Sequence, residues 1–162
     1  MEKSINFSLL PNSRDIKAAG IRSSSFFRLH GLPDDAVQVH VRILRELIKN
    51  GVKYAKFTPS ENTIRVGIHI DDNSVSIEVM NPVDESCRTR LEELDRAIQF
   101  IRGYQDPFEA YMVMKKMSPK QTRHGEAEGI GLAEIAYEGN ATLDFFISED
   151  NILNLSAVKR LA

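Results

Sequence analysis

Residues 35–55 read DAVQVHVRILRELIKNGVKYA, and their periodicity predicts the central helix of the fold. At ~100° per residue one side of this helix collects apolar or small residues, namely Val37, Leu44, Leu47, Ile48, Gly51, Val52 and Ala55. The opposite side collects polar residues, namely Arg42, Glu46, Lys49, Asn50 and Lys53. We expect the first side to pack against a sheet and the second to face either solvent or a binding site.

The segments around this helix predict a sheet and further helices. Alternating apolar residues or flanking turn signals indicate strands, at residues 4–10, 63–70, 74–80, 142–148 and 152–158. Helical spacing and capping signals indicate the remaining helices, at residues 13–30, 84–102, 107–117 and from about Gly129. The predicted class is α+β: a two-layer α/β sandwich with a mixed, mostly antiparallel sheet and helices on one face. No linker-like stretch divides residues 1–162, so we expect one domain.

Composition restricts the classes of function. The chain has 162 residues, a formal net charge of −2 and a pI of about 6.1, so no basic footprint for nucleic acid is present. No apolar run approaches the roughly 18 residues of a membrane span, and the N-terminus lacks a signal-peptide pattern. Cys87 is the only cysteine, which excludes a disulfide within the chain. We expect a cytoplasmic protein with no membrane contact.

Glu46 and Asn50 form the first candidate for chemistry. A spacing of four residues places both side chains on one helix face, a single turn apart. A carboxylate can orient or deprotonate a hydroxyl nucleophile, and an amide oxygen is a suitable Mg²⁺ ligand. The alternative is that both side chains lie on a solvated helix face.

Residues 125–133, GEAEGIGLA, form the second candidate. Glycines allow backbone N–H groups to approach a phosphate closely, and a helix beginning near Gly129 would direct its positive end at that phosphate. The segment matches neither a Walker A loop nor a Rossmann fingerprint. The alternative is a flexible turn followed by tight helix packing.

Two further regions carry polar candidates. Asn81 follows a strand, where its amide could bond a base edge, whereas Asp84 is expected to cap the next helix. A basic loop, residues 118–124, precedes the glycine segment, and its cations could neutralise phosphate charge. The alternative is a solvated surface run. The cations in and before this loop are Lys115, Lys116, Lys120, Arg123 and His124.

The order of these motifs resembles the GHKL ATPase superfamily, from about Asp34 to the C-terminus. ELIKNGVKYA (46–55) is similar to the N-box of that family, and GEAEGIGLAEIA (125–136) is similar to its second glycine box. The resemblance implies the Bergerat-type ATP-binding fold. A short chain of this kind most resembles the partner-switching, anti-sigma-factor-like serine/threonine kinases, which phosphorylate a small partner protein.

The resemblance assigns a role to each candidate residue. Glu46 would be the general base, Asn50 would coordinate Mg²⁺, and Lys53 would lie near the phosphates of ATP. The nucleotide would also be contacted by other residues, namely Asn81, Asp84, Arg123, Gly125, Gly129, Gly131 and Leu132. Residues 91–124 would form the ATP lid. Small kinases of this type commonly pair, which allows a homodimer here.

One motif departs from the family pattern. The first glycine box normally reads DxGxG, and its aspartate binds the adenine amino group, but residues 81–86 read NPVDES. Asn81 stands in the position of that aspartate, and both glycines are missing.

Two functions are consistent with these motifs. The first is a Mg-ATP-dependent serine/threonine protein kinase acting on a small regulatory protein in signal transduction. The second is a non-catalytic module of the same fold that regulates a partner without phosphoryl transfer.

Overall fold

A computed structural model describes residues 3–121 and 129–161, together with the side chains of all these residues except 118–121. Its single five-stranded sheet has the order β1-β2-β3-β5-β4, and every strand pairing is antiparallel. The strands are β1 (Lys3–Leu9), β2 (Ile64–Ile70), β3 (Ser74–Pro82), β4 (Ala141–Ile147) and β5 (Ile152–Arg160). The predicted strands are therefore all present, and the sheet is antiparallel throughout rather than mixed.

Five α-helices accompany the sheet in the described part of the chain. They are α1 (Ser13–Leu29), α2 (Asp34–Tyr54), α3 (Arg88–Arg102), α4 (Pro107–Gln121) and α5 (Ile130–Tyr137). The prediction of one helix over 84–102 was wrong at its start, because a 3₁₀ turn (Glu85–Cys87) precedes α3. Residues 118–121 were predicted as loop but continue α4.

The alternation of residues along the strands explains the two layers. In β3, Val75, Ile77 and Val79 are buried, whereas Ser76 and Glu78 between them are only partly covered. Successive strand residues point to opposite faces of a sheet, so the buried set marks the face that the helices cover. The other strands repeat this pattern, which confirms a two-layer fold with helices on one face.

Helix α2 lies at the centre of the helical layer. It contacts α1, α5, β3 and β5. Val37, Leu44 and Leu47 on its apolar side are completely buried, as the periodicity predicts. Because several elements enclose α2, some of its polar residues, such as Asn50, are buried, whereas others, such as Lys49, are exposed. None of the helices in residues 3–121 and 129–161 has the length and apolarity needed to cross a bilayer.

Truncation of Leu47 tests this packing. We expect Leu47→Ala to lower the free energy of unfolding by about 2–5 kcal/mol, because a buried leucine loses its contacts and leaves a cavity. Urea denaturation followed by circular dichroism gives the value. Lys49→Ala is the matched control, since this exposed residue lies on the same helix and should change stability by less than about 0.5 kcal/mol. Equal effects in the two variants would contradict the assigned orientation of α2.

Candidate functional site

Glu46 on α2 lies directly against Gly131 in the first turn of α5. A Cβ atom placed on Gly131 would fall 1.7 Å from Oε1 of Glu46, which is far inside contact distance. The carboxylate therefore occupies the space that any side chain at position 131 would need. The sequence-based expectation that the ExxxN helix faces the glycine segment agrees with this geometry. The backbone N–H groups at a helix start attract anions, so a carboxylate is a favourable neighbour there.

Asn50 completes this cluster from one turn further along α2. Its Nδ2 donates hydrogen bonds to the backbone oxygen of Glu46 at 2.8 Å and to Oε1 of Glu46 at 3.0 Å. Both partners are acceptors, so the nitrogen of the amide must face them, and Oδ1 is left as the oxygen that could ligate a cation. Asn50 is only 7% exposed and Glu46 is half-buried. For Asn50, the alternative of a solvated helix face is therefore wrong.

Asn81 approaches the same helix from the end of β3. Its side chain is 1% exposed, and neither Nδ2 nor Oδ1 has a hydrogen-bond partner among the described residues. It packs on Gly51, where an added Cβ would fall 2.2 Å from Nδ2 of Asn81. A buried amide without partners costs about 1–3 kcal/mol per unsatisfied group. Asn81 thus carries an unsatisfied donor and an unsatisfied acceptor, and it packs on α2 at Gly51, the residue that follows Asn50.

Lys53 and Asp84 lie further out. The Asp84 carboxylate accepts hydrogen bonds from the backbone N–H and hydroxyl of Ser86, which lower the pKa of Asp84. It therefore caps the 3₁₀ turn, which agrees with the capping role predicted from the sequence. Lys53 follows Asn50 on α2, its Nζ lies 5.5 Å from the Tyr54 ring centroid, and its backbone oxygen accepts a hydrogen bond from Arg90 of α3. Nucleotide contacts by Lys53 and Asp84 stay predictions.

Gly129 brings α3 against the start of α5. Its φ of +79° is a left-handed conformation that favours glycine, and an added Cβ would lie 2.8 Å from Cβ of Ala97. Leu94, Ala97 and Ile98 of α3 are buried in the core. Part of the stretch predicted as an ATP lid therefore packs directly on the glycine segment.

The remaining predicted site residues are only partly described. Arg123 and Gly125 lie outside the described residues. Leu132 is completely buried in the core, so only its backbone is placed to serve as part of a phosphate cradle. Within residues 3–121 and 129–161, no group of three or more His, Cys, Asp or Glu is arranged to hold a metal ion. A cation here would rely on few protein ligands, as Mg²⁺ often does.

Two sizeable cavities in the described structure lie away from Glu46. One of about 790 Å³ is lined by Asp84, α3 and the β4–β5 hairpin, and one of about 840 Å³ lies by the α1–α2 turn. Neither is lined by Glu46, Asn50 or Gly131. The polar groups of the candidate site therefore lie together, but neither of these two cavities opens beside them. Ala97 and the side chain of Glu46 cover the glycine segment instead.

An ion-pair cluster that the sequence did not suggest joins the two helices of the site. Arg42 of α2 bonds Glu138, and its Nη2 lies 3.3 Å from Oε2 of Glu134 in α5. These side chains are partly exposed, so their contribution to stability is small. They mark where α2 and α5 meet, because Arg42 lies one turn before Glu46 on α2 and Glu134 lies in α5.

From the sequence, Gly51 is expected only on the apolar side of the helix. A glycine inside a predicted helix, next to Asn50, is nevertheless a signal that another residue approaches closely at that point.

The fold matches a solved structure. The chain aligns with a chain of "The crystal structure of SiaB-SiaC complex from Pseudomonas aeruginosa" with a TM-score of 0.69 and 18% sequence identity. The alignment covers 96% of this chain and 88% of that chain. Neither the known protein families nor the curated proteins include a match to this sequence. The likeness shows the fold alone, so the chemistry is inferred from the geometry described above.

A double-mutant cycle tests the Gly51–Asn81 contact. We expect Gly51→Ala alone to destabilise the protein, because its Cβ meets a buried amide that has little room to move. With Asn81→Ala as background, the same Gly51→Ala change should stabilise by about 0.5–1 kcal/mol, since alanine is the better helix former. Urea unfolding of the four proteins measures the coupling. The same sign of effect in both backgrounds would contradict the contact.

Proposed function

We propose that this chain regulates a partner protein by phosphorylating it, with Mg-ATP bound between α2, the start of α5 and the end of β3. The observation that carries the proposal is the placement of the Glu46 carboxylate against Gly131, with Asn50 hydrogen-bonded to Glu46. A carboxylate, an amide and a helix start are thereby brought to one point. The structural neighbour is a complex of two proteins, SiaB and SiaC, which supports a role in protein–protein regulation.

The chemistry assigned to Glu46 is proton transfer. A serine or threonine hydroxyl of the partner would attack the γ-phosphorus of ATP while its proton passes to the Glu46 carboxylate. The new bond joins the hydroxyl oxygen to phosphorus, and the bond between the γ-phosphorus and the bridging oxygen breaks, which releases ADP. General-base assistance of this kind is worth about 10²–10⁴ in rate. Most of the remaining catalysis would come from positioning and charge neutralisation.

The residues present fit a magnesium nucleotide. Asn50 would supply one amide oxygen, and bound Mg²⁺ would neutralise charge on the phosphates. Gly129 and Gly131 carry no side chain of their own over this backbone, which in the described structure is covered by Ala97 and Glu46. The buried Asn81 amide offers one donor and one acceptor, which match the acceptor and donor on an adenine edge.

Nucleotide binding requires a rearrangement of α3. Ala97 touches Gly129, and the Glu46 carboxylate occupies the position beside Gly131. A phosphate group reaching these backbone N–H groups would have to displace both. The proposed enzyme therefore has a closed state, which the structure describes, and a loaded state in which α3 has moved away from the glycine segment.

The closed packing also favours a second function. In this alternative the chain is a non-catalytic module that keeps the fold and binds a regulator without nucleotide. The buried contact of Ala97 with Gly129 and the altered residues 81–86 support it. The bonded Glu46–Asn50 pair argues against it, because a purely structural helix has no need of a buried amide at position 50.

Calorimetry separates the two functions. We expect the wild-type chain to bind ATP in the presence of Mg²⁺, and Asn50→Ala to lose that magnesium-dependent affinity by about tenfold or more, because one cation ligand is removed. Asn73→Ala, an exposed amide in the β2–β3 turn, is the matched control. Absence of heat with ATP and with ADP, with or without Mg²⁺, would support the non-catalytic module instead.

Glu46→Gln tests the general base. We expect this variant to bind Mg-ATP as the wild type does, but to release phosphate from ATP about 10²–10⁴-fold more slowly, with water as the acceptor. Inorganic phosphate release measures the rate, and Glu149→Gln in the exposed β4–β5 turn is the control. Unchanged turnover in Glu46→Gln would remove Glu46 from the reaction.

A further inference from the structure

We infer a second ligand site at the opposite end of the sheet, which takes a small organic anion that also carries a hydroxyl group. The site is the cavity of about 840 Å³ between the α1–α2 turn and the ends of β1, β2 and β5. Its volume falls within the usual range for small-molecule sites of about 300–1,000 Å³. Lys3, Lys159 and His40 are the residues that define its chemistry.

Two lysines occupy positions on the core-facing side of the sheet. Lys3 pairs with Ile70, Ile70 pairs with Val75, and Val75 pairs with Lys159, so these residues form one row across four strands. Ile70 and Val75 between them are buried. The two Cα atoms are three strand spacings apart, about 14 Å, which two lysine side chains can span toward one small ligand.

Neither lysine forms an ion pair with a described acid. No ion pair joins Lys3 or Lys159 to a carboxylate within the part of the chain that the structure describes. Both side chains are half-buried. A cation held at a core-facing position without a counter-charge is uncommon in a folded protein, and an anionic ligand would supply that charge.

His40 contributes an acceptor from α2. The residue is fully buried, and its Nδ1 lies 2.6 Å from the backbone oxygen of Ala36, so Nδ1 must carry the proton. Burial lowers the pKa of His40, and nearby Lys159 acts in the same direction. The ring is therefore neutral near pH 7, and Nε2 is a lone-pair acceptor. Nε2 has no hydrogen-bond partner among the described residues and almost no accessible surface, so a ligand hydroxyl would bond it by displacing the groups that cover it.

Three acids, Asp35, Asp71 and Asp72, also line the cavity, and each already has a partner of its own. Asp71 accepts hydrogen bonds at 2.7 Å from the backbone N–H groups of Asn73 and Ser74, and these bonds lower the pKa of Asp71. Asp35 accepts from the backbone N–H of Ala36 at 2.9 Å, and Asp72 also has an interaction partner. Among the described residues, the cavity-lining lysines and arginine without an ion pair are Lys3, Lys159 and Arg160, and the unbonded acceptor is the buried Nε2 of His40.

This site is separate from the proposed nucleotide site. Val75 marks its end of β3, whereas Asn81 marks the other end, about 20 Å away along the strand. The inference does not depend on the proposed kinase activity, and its test contains no nucleotide. It stands whether the chain transfers phosphate or only binds a partner.

Matched probe pairs test the ligand class. L-Malate and succinate differ by one hydroxyl, and glycerol 1-phosphate and propyl phosphate differ by two. We expect the hydroxylated member of at least one pair to bind more tightly by about tenfold, the value of one good hydrogen bond to a buried acceptor. Titrations followed by the ¹⁵N shift of His40 Nε2 and by the amide signal of Ile70 report binding. The pair that binds distinguishes a carboxylate ligand from a phosphate ester.

Variants decide whether the cavity is responsible. Lys159→Met should weaken binding of the tighter probe by about tenfold or more, because a charge-assisted contact is lost. Lys17→Met, an exposed lysine on α1, should leave binding unchanged. Failure of all four probes to shift the two signals would overturn the site. Equal binding within each pair would overturn the role of His40, and equal loss in both lysine variants would reduce the effect to general surface charge.

Discussion

The contact between the Glu46 carboxylate and the backbone at Gly131 depends on the absence of a side chain at position 131. With any other residue there, α5 would have to move away from α2 or Glu46 would have to turn away. Arg42 holds the same two helices together one turn earlier through its ion pairs with Glu134 and Glu138. The carboxylate is thus fixed by a glycine on one side and by its hydrogen bond from Asn50 on the other.

Two of the three asparagines that are buried among the described residues, Asn50 and Asn81, lie on or against α2 close to this contact. Asn50 is satisfied by Glu46, so its burial is consistent with a stable fold in the absence of any ligand. Asn81 is not satisfied, and its place on Gly51 prevents it from reaching solvent. A valine or leucine at position 81 would pack without this penalty of about 1–3 kcal/mol. The kinase proposal gives Asn81 a bonding partner when nucleotide is bound, whereas the non-catalytic alternative leaves it unexplained.

The sequence predicted those features that arise from local periodicity. Alternation located all five strands, and the 3.6-residue repeat placed Val37 and Leu47 in the core. Features that arise from tertiary packing could not be predicted from the sequence. A periodic pattern shows that α3 has an apolar face but does not show that Ala97 meets Gly129. Likewise, Lys3 and Lys159 lie far apart in sequence, and only the strand register places them in one row.

The unsatisfied groups of Asn81 and His40 lie towards opposite ends of the two-layer fold. The middle of the interface between α2 and the sheet is sealed by side chains such as Leu44 and Ile77, which leave no path for a polar molecule. A core-facing polar group can be approached only from an end of the sheet, where one layer stops before the other. His40 lies by the row of Lys159 at one end, and Asn81 lies at the other. An unsatisfied amide or imidazole in the sealed middle would be a pure loss of stability, whereas under the two proposals Asn81 and His40 gain a partner when a ligand displaces the groups that cover them.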